Sequence, residues 1–341
     1  MNKFSKIAVL ATSTLFIAGN TFCQNPQFSQ YYATPLLVAP SFVGNSFGTR
    51  VFMNYRDQWA KLPGSLVTYS VALDNNFYAI NSGLGVVVMN DVVGSARLGS
   101  ASITGLYSYR FNITDDWRIR PGISFSYTQR SLNYDRAIFP DQITEQGIDV
   151  TTIEQRNKPY YFLDASSSVV VYNHMMWYGL CVDNLMRPQA SFARQNARLS
   201  MQWSQFGGVN FPLTNSVGKV PEIITLNYLI KVTRQFYQMD VGLNWYRAPL
   251  LLGFAWRGLP AIHKYPSYDA LIFMVGFAFN NMAFGYSYDF TVSKLSTAPG
   301  GSHEITFSYS FNEGSKTQRK GAIPCPDVVK FKMFGDKESF R

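Results

Sequence analysis

Ile305-Thr306-Phe307-Ser308-Tyr309-Ser310-Phe311 alternates large apolar side chains with small hydroxyls. Successive side chains of a β-strand point to opposite faces, so this stretch has one aromatic-apolar face and one small, polar face. A soluble sheet hides the apolar face in a core; a membrane barrel turns it to lipid. The pattern recurs along the chain. Val67, Tyr69, Val71 and Leu73 oppose Thr68, Ser70 and Ala72; Met239, Val241, Leu243 and Trp245 oppose Asp240, Gly242 and Asn244. Phe284, Tyr286, Tyr288 and Phe290 likewise oppose Gly285, Ser287 and Asp289. We read the bulky face as lipid-facing and the small face as lumenal.

Alternating segments bounded by Gly, Asn, Asp and Pro predict about fourteen strands. They run over 49–57, 65–74, 82–90, 98–111, 117–130, 160–171 and 175–183, then 201–211, 223–232, 235–246, 249–257, 268–279, 282–290 and 303–312. Bacterial outer-membrane barrels have an even strand number, short periplasmic turns and longer outer loops. With the N-terminus periplasmic, the long connections fall mostly on the outer side, at 131–159, 184–200, 258–267 and 291–302, while the inner ones include 212–222. Asn280-Asn281 and Asn173-His174 suit tight inner turns, because Asn tolerates positive φ. The two-residue link Thr233-Arg234 is the outer exception. A propeller would show a repeat of some 40–50 residues, which is absent; a sandwich would not sort its long loops to one side. The expected fold is an all-β transmembrane antiparallel barrel in the outer membrane.

Composition agrees. Aromatic residues make up 16% of the chain and charged residues only 15%, against roughly a quarter charged in soluble domains. Lys3 and Lys6 precede a short apolar run, 7–18, too brief to span as a helix. Residues 1–23 therefore read as a signal peptide cleaved after Cys23. Phe22 before Cys23 disfavours the lipoprotein reading, which wants a small residue there. Cleavage lowers the net charge from +9 to about +7, a basic excess scattered over turns and tail rather than gathered into a nucleic-acid stripe. Cys181 and Cys325 are too few for a disulfide framework or a cysteine zinc site. The expected organisation is a signal peptide over 1–23, a periplasmic or lumenal segment over 24–48, the barrel over 49–312 and a basic periplasmic tail over 313–341.

Five local motifs carry a family resemblance: Asn25-Pro26-Gln27-Phe28-Ser29-Gln30-Tyr31, Asn54-Tyr55-Arg56-Asp57-Gln58-Trp59 and Phe139-Pro140-Asp141-Gln142, then Gly285-Tyr286-Ser287-Tyr288-Asp289-Phe290 with Lys294-Leu295, and Gly301-Ser302-His303-Glu304-Ile305. In that order, over 24–312, they resemble the PorP/SprF family of type IX secretion system membrane proteins. The resemblance implies an outer-membrane protein of the Bacteroidota that supports secretion or surface anchoring of cargo bearing a C-terminal sorting domain, including gliding adhesins in some members. It implies as partners a periplasmic ring lipoprotein and its partner subunit, as well as the cargo. The tail departs from family members that end near the last strand.

Enzymatic chemistry finds little support. The chain has three His: His174 and His263 fall in connections at opposite ends, and His303 adjoins Ser302 with Asp289 on the neighbouring strand. No G-x-S-x-G elbow occurs, and His303-Glu304 lacks the second His of a zinc-protease helix. The glycine pairs, Gly83 with Gly85 among them, fit no nucleotide fingerprint and read as sites of close backbone approach. No cofactor is expected. Arg56, Trp59, Asp141, Gln142, Lys294, His303 and Glu304 fall near the outer rim and form the candidate partner or cargo interface. Trp59 reads as an interface anchor, and Arg56, Asp141 and Gln142 as braces that join loops 58–64 and 131–159 into a platform. Lys316, Arg319, Lys320, Lys330 and Lys332 make the tail a candidate docking peptide. The expected role is a non-catalytic secretion component; a diffusion channel or small-solute transporter is the alternative.

Overall fold

The computed structural model describes residues 26–46, 48–62, 64–137, 142–144, 147–148, 158–189, 198–213, 222–234, 236–259, 267–279, 281–292 and 300–311. Fourteen long strands form the wall. They are β1 (Thr49–Gln58), β2 (Leu66–Phe77), β3 (Ser82–Val93), β4 (Leu98–Tyr109), β5 (Arg118–Ser131), β6 (Tyr160–Tyr172) and β7 (Met176–Asp183). The second half comprises β8 (Gln202–Pro212), β9 (Glu222–Val232), β10 (Tyr237–Arg247), β11 (Leu250–Leu259), β12 (Ser267–Phe279), β13 (Met282–Thr291) and β14 (Ser302–Phe311). Each pairs antiparallel with its sequence neighbours, and β1 pairs with β14 from Thr49↔Phe311 to Gln58↔Ser302. That pairing closes the sheet and leaves no unpaired edge, the only way strands satisfy their backbone in lipid.

The ends of these strands lie within three residues of those read from the alternation. The link near Thr233 is longer than the two residues expected, because β10 starts at Tyr237, and the Thr233 N–H donates to the Phe236 carbonyl at 2.8 Å. Segment 98–111 breaks at Arg110, and Phe111–Asn112 form a separate two-residue pairing with Ile119 and Arg118. Short turns, such as 78–81, 173–175 and 248–249, share one end with the start of β1 and the end of β14. By the rule for bacterial barrels this end is periplasmic.

The alternation sets the two faces. Met53, Tyr55, Val71, Leu73, Ile103 and Phe125 project outward and are exposed, a continuous apolar surface that only lipid would cover. The intervening Asn54, Ser70, Ala72 and Ser124 are buried in the lumen.

Residues 26–46 cross that lumen as a plug. Pro35–Val38 form one α-helical turn and Pro40–Phe42 a 3₁₀ turn, each opened by a proline whose fixed φ suits a first helical position. The apolar core therefore lies inside the barrel. Tyr31, Leu36, Ala39, Phe42 and Val43 of the plug pack against Phe52, Ala72, Val87, Leu106, Val170 and Phe206 of the wall. Two glycines admit this packing. A Cβ at Gly83 would lie 2.4 Å from the Val43 carbonyl oxygen, and one at Gly122 would lie 2.4 Å from the Ser41 nitrogen.

The plug has a direction. Ser46 sits at the periplasmic turn, where Asn76 Nδ2 and the Tyr78 hydroxyl donate to its carbonyl at 3.1 and 3.0 Å. Ser29 meets Arg56, Asp289 and Glu304 near the outer ends of β1, β13 and β14. The chain thus enters β1 at the periplasmic end while residues 26–30 lie in the outer half.

Candidate functional site

Strand period 2 places Arg56 (β1), Asp240 (β10), Arg257 (β11), Asp289 (β13) and Glu304 (β14) on the lumenal face, and all five are buried. Asp240 and Arg257 are direct cross-strand partners. A register shift between Arg257 and Gly258 marks a bulge on the β11–β12 pairing beside this group, and bulges often re-aim a side chain.

The cluster closes on the plug. Ser29 Oγ donates to Asp289 Oδ2 at 2.6 Å and accepts from Arg56 Nη1 at 2.5 Å and Arg257 Nη2 at 3.0 Å. A hydroxyl has one donor and two acceptor lone pairs, so Ser29 is saturated. Glu304 accepts the backbone N–H groups of Ser29 at 2.7 Å and Gln30 at 3.0 Å, and pairs with Arg56 Nη1 at 3.0 Å. Arg56 Nη2 reaches Asp289 at 2.8 Å, and Arg257 bridges Asp240 and Asp289, each at 3.1 Å. Gln27 Nε2 donates to Asp240 Oδ2 at 2.9 Å. Gln30 Nε2 donates to Ser287 Oγ at 3.2 Å, and Thr306 Oγ1 donates to Gln30 Oε1 at 3.0 Å.

A second anchor holds the periplasmic half. Arg50 and Asp74 form a two-pronged pair with both contacts at 3.0 Å, and Asp74 Oδ2 also accepts the Gly44 N–H at 2.8 Å. Val43 offers its carbonyl to Ser108 Oγ and Arg120 Nη1, both at 2.8 Å. Burial pushes the Tyr78 phenol up to about 12, against the opposing pull of Arg110 and Arg120, so it stays protonated and donates to Ser46 at neutral pH. The Asn76 amide shares that acceptor.

The residues singled out in the sequence separate into three groups. Arg56 and Glu304 come together, inside the barrel. Among the described residues, the hydrogen bonds of Arg56 go to Ser29, Asp289 and Glu304. His303 points the other way, its Nδ1 lying 2.8 Å from the Tyr286 hydroxyl on the outer wall. Trp59 follows β1 with φ 62°, is half-buried, and donates its N–H to the Gly301 carbonyl at 2.8 Å. Gln142 is buried beside the small hairpin Ile143–Thr144 with Gly147–Ile148. Asp141, Lys294, the tail residues 316–332 and the cleavage site at Cys23 lie outside the described residues.

Arg257, Asp240 and Ser29 were not singled out. For Asp240 and Arg257 the one signal is a charge at an inward position of a strand, and register shows that they meet; Ser29 lies in the first family motif, and only the course of the plug brings it to them. Four of the five sequence motifs converge here: Ser29 and Gln30, Arg56, Ser287 and Asp289, and Glu304 are up to 275 residues apart.

A closed barrel with an internal plug, an apolar outer belt and short periplasmic turns defines an integral outer-membrane protein. Residues 20–309 match the model of "Type IX secretion system membrane protein PorP/SprF". This chain belongs to the PorP/SprF family, and so to the membrane proteins of type IX secretion.

Solved structures similar to it are outer-membrane barrels. Outer membrane protein Omp33 of Acinetobacter baumannii matches at 8% identity over 79% of this chain and 100% of that one, with TM-score 0.44. CdiB from Acinetobacter baumannii matches at 8% identity over 77% and 60%, with TM-score 0.44. The translocator domain of autotransporter NalP from Neisseria meningitidis matches at 13% identity over 90% and 97%, with TM-score 0.35. No curated protein matches the chain.

Proposed function

We propose that this protein is a non-catalytic scaffold of the type IX secretion system. Its outer rim receives or retains cargo bearing a C-terminal sorting domain, surface adhesins included. Its periplasmic side engages the ring lipoprotein and its partner subunit, with the basic residues Lys316, Arg319, Lys320, Lys330 and Lys332 as the docking peptide. The observation that carries this reading is the occupied lumen. Residues 26–46 are pinned by two arginines and three carboxylates at one end and by Arg50 and Asp74 at the other. A diffusion channel needs a water-filled path, whereas a scaffold gains stiffness from a filled one.

Two experiments test the reading. Tagged full-length protein and a version ending at Asn312 are pulled from detergent-solubilised outer membranes, and co-purifying proteins are identified. Ring components recovered only with the intact chain support the tail as the docking element; equal recovery moves the contact to the barrel turns. Recovery of neither ring component nor sorting-domain cargo refutes the scaffold. Single-channel recording in planar bilayers examines the channel alternative, which requires steady conductance from the intact chain.

A further inference from the structure

The plug leaves a cavity of ≈ 200 Å³ on its outer side, bounded by the plug and the inner faces of β3 to β9. Its walls repeat a chemistry the barrel already uses to hold polypeptide. Lower in the lumen, Ser168 Oγ accepts the Ser41 N–H at 2.8 Å, Asp74 accepts the Gly44 N–H, and Ser108 and Arg120 donate to the Val43 carbonyl. Toward the outer rim the same strands present Ser102 and Thr104 (β4), Ser124 and Ser126 (β5), and Ser166 and Asp164 (β6) to the cavity. Asp164 already accepts one main-chain N–H, from Met186 at 3.2 Å.

These inward side chains recur every second residue, about 6.8 Å along a strand. An extended chain presents its own backbone groups with that same repeat. Serine and threonine both donate and accept, so they suit backbone N–H and C=O alike. Lys231 lines the cavity from β9 and forms no hydrogen bond or ion pair with a described residue, although the charges of Asp240 and Asp183 act on it. An ammonium with three donors calls for an oxygen acceptor, and a carboxylate satisfies it best. The volume is below the roughly 300–1,000 Å³ of a drug-sized pocket, so it admits the end of a chain and not a folded domain.

We propose that this vestibule is a binding site for an extended peptide end reached from the outer face, gripped through its backbone by the hydroxyl walls of β4, β5 and β6, with its terminal carboxylate on Lys231. The inference rests on the scaffold reading above and names what the outer face grips. The test uses full-length protein in lipid nanodiscs and two mixed hexapeptide libraries, one with free carboxyl ends and one amidated, with retained peptides identified by mass spectrometry. Ser126→Trp fills the cavity; Lys231→Met removes the cation with little change of volume.

The expected result is at least tenfold enrichment of free-acid peptides on the wild type over Ser126→Trp, with the preference for free acid over amide lost in Lys231→Met. Equal retention by wild type and Ser126→Trp, no enrichment, or retention of a dextran hexamer in place of peptides overturns the assignment. Each variant is first checked for the heat-modifiable folded band on a gel. If Ser126→Trp lacks that band, the Lys231→Met comparison alone decides, and an unchanged acid-to-amide ratio overturns the proposal. Peptide binding lost in Ser126→Trp while cargo secretion stays normal keeps this site and counts against the cargo reading.

Discussion

Replacing Arg56 by Met is the sharpest test of the plug's anchorage. The change deletes three contacts, to Ser29 Oγ at 2.5 Å, Glu304 at 3.0 Å and Asp289 at 2.8 Å. Removing one member of a buried ion pair costs roughly 3–5 kcal/mol, because it strands the other charge. The lower end applies here. Asp289 keeps Arg257 Nη1 and the Ser29 hydroxyl, and Glu304 keeps two backbone N–H donors. The loss falls on the plug, since the wall is held by ladders on both sides of every strand. About 3 kcal/mol is more than a hundredfold in the equilibrium between seated and released plug. Hydrogen exchange followed by mass spectrometry in detergent reads this directly. The amides of Ser29 and Gln30 should exchange about a hundredfold faster, with wall amides of β2, β6 and β12 unchanged. Unaltered protection over 28–31, or equal loss throughout the wall, would refute the reasoning.

Ser29→Ala should also loosen the plug, because one hydroxyl serves Arg56, Arg257 and Asp289; we expect a loss of about 1–3 kcal/mol, read by the same exchange measurement. Gly83→Val drives a side chain into the Val43 carbonyl, at about 1–3 kcal/mol of overpacking, and should free residues 41–46 while leaving Ser29 protected. Deleting residues 26–46 should give stepwise single-channel currents that the intact chain lacks; a silent deletion variant that retains its folded band would show that the plug is not what closes the lumen. His174, in the periplasmic turn after β6, has its pKa lowered mainly by burial, with Asp116 pulling the other way and Arg118 adding to the lowering. A folded pKa below the unfolded value means the unfolded turn binds more protons, so local stability is full above the unfolded value near 6.5 and falls as the pH drops below it. Protection factors at 173–176, corrected for the intrinsic exchange rate at each pH, should fall between pH 7 and pH 5, and His174→Gln should abolish that dependence.

Local residue pattern is enough to specify the wall. Alternation of residues such as Phe307 with Ser308 has a strict period of 2, and in a barrel every strand obeys it because one face meets lipid and the other the lumen. Strand number, the sorting of long loops and which side chains face outward are all local consequences of that period. The family motifs were equally legible, being short and contiguous. Tertiary structure alone decided what those motifs do. Arg56 and Glu304 sit at the rim in sequence terms, yet period 2 turns them inward, and the course of residues 26–46 brings Ser29 between them. Asp240 and Arg257 meet only because β10 and β11 pair in one register. The plug's path through the lumen carries no periodic signal: it is set by contacts between residues as distant as Gln30 and Thr306, and such contacts exist only once the barrel has closed around them.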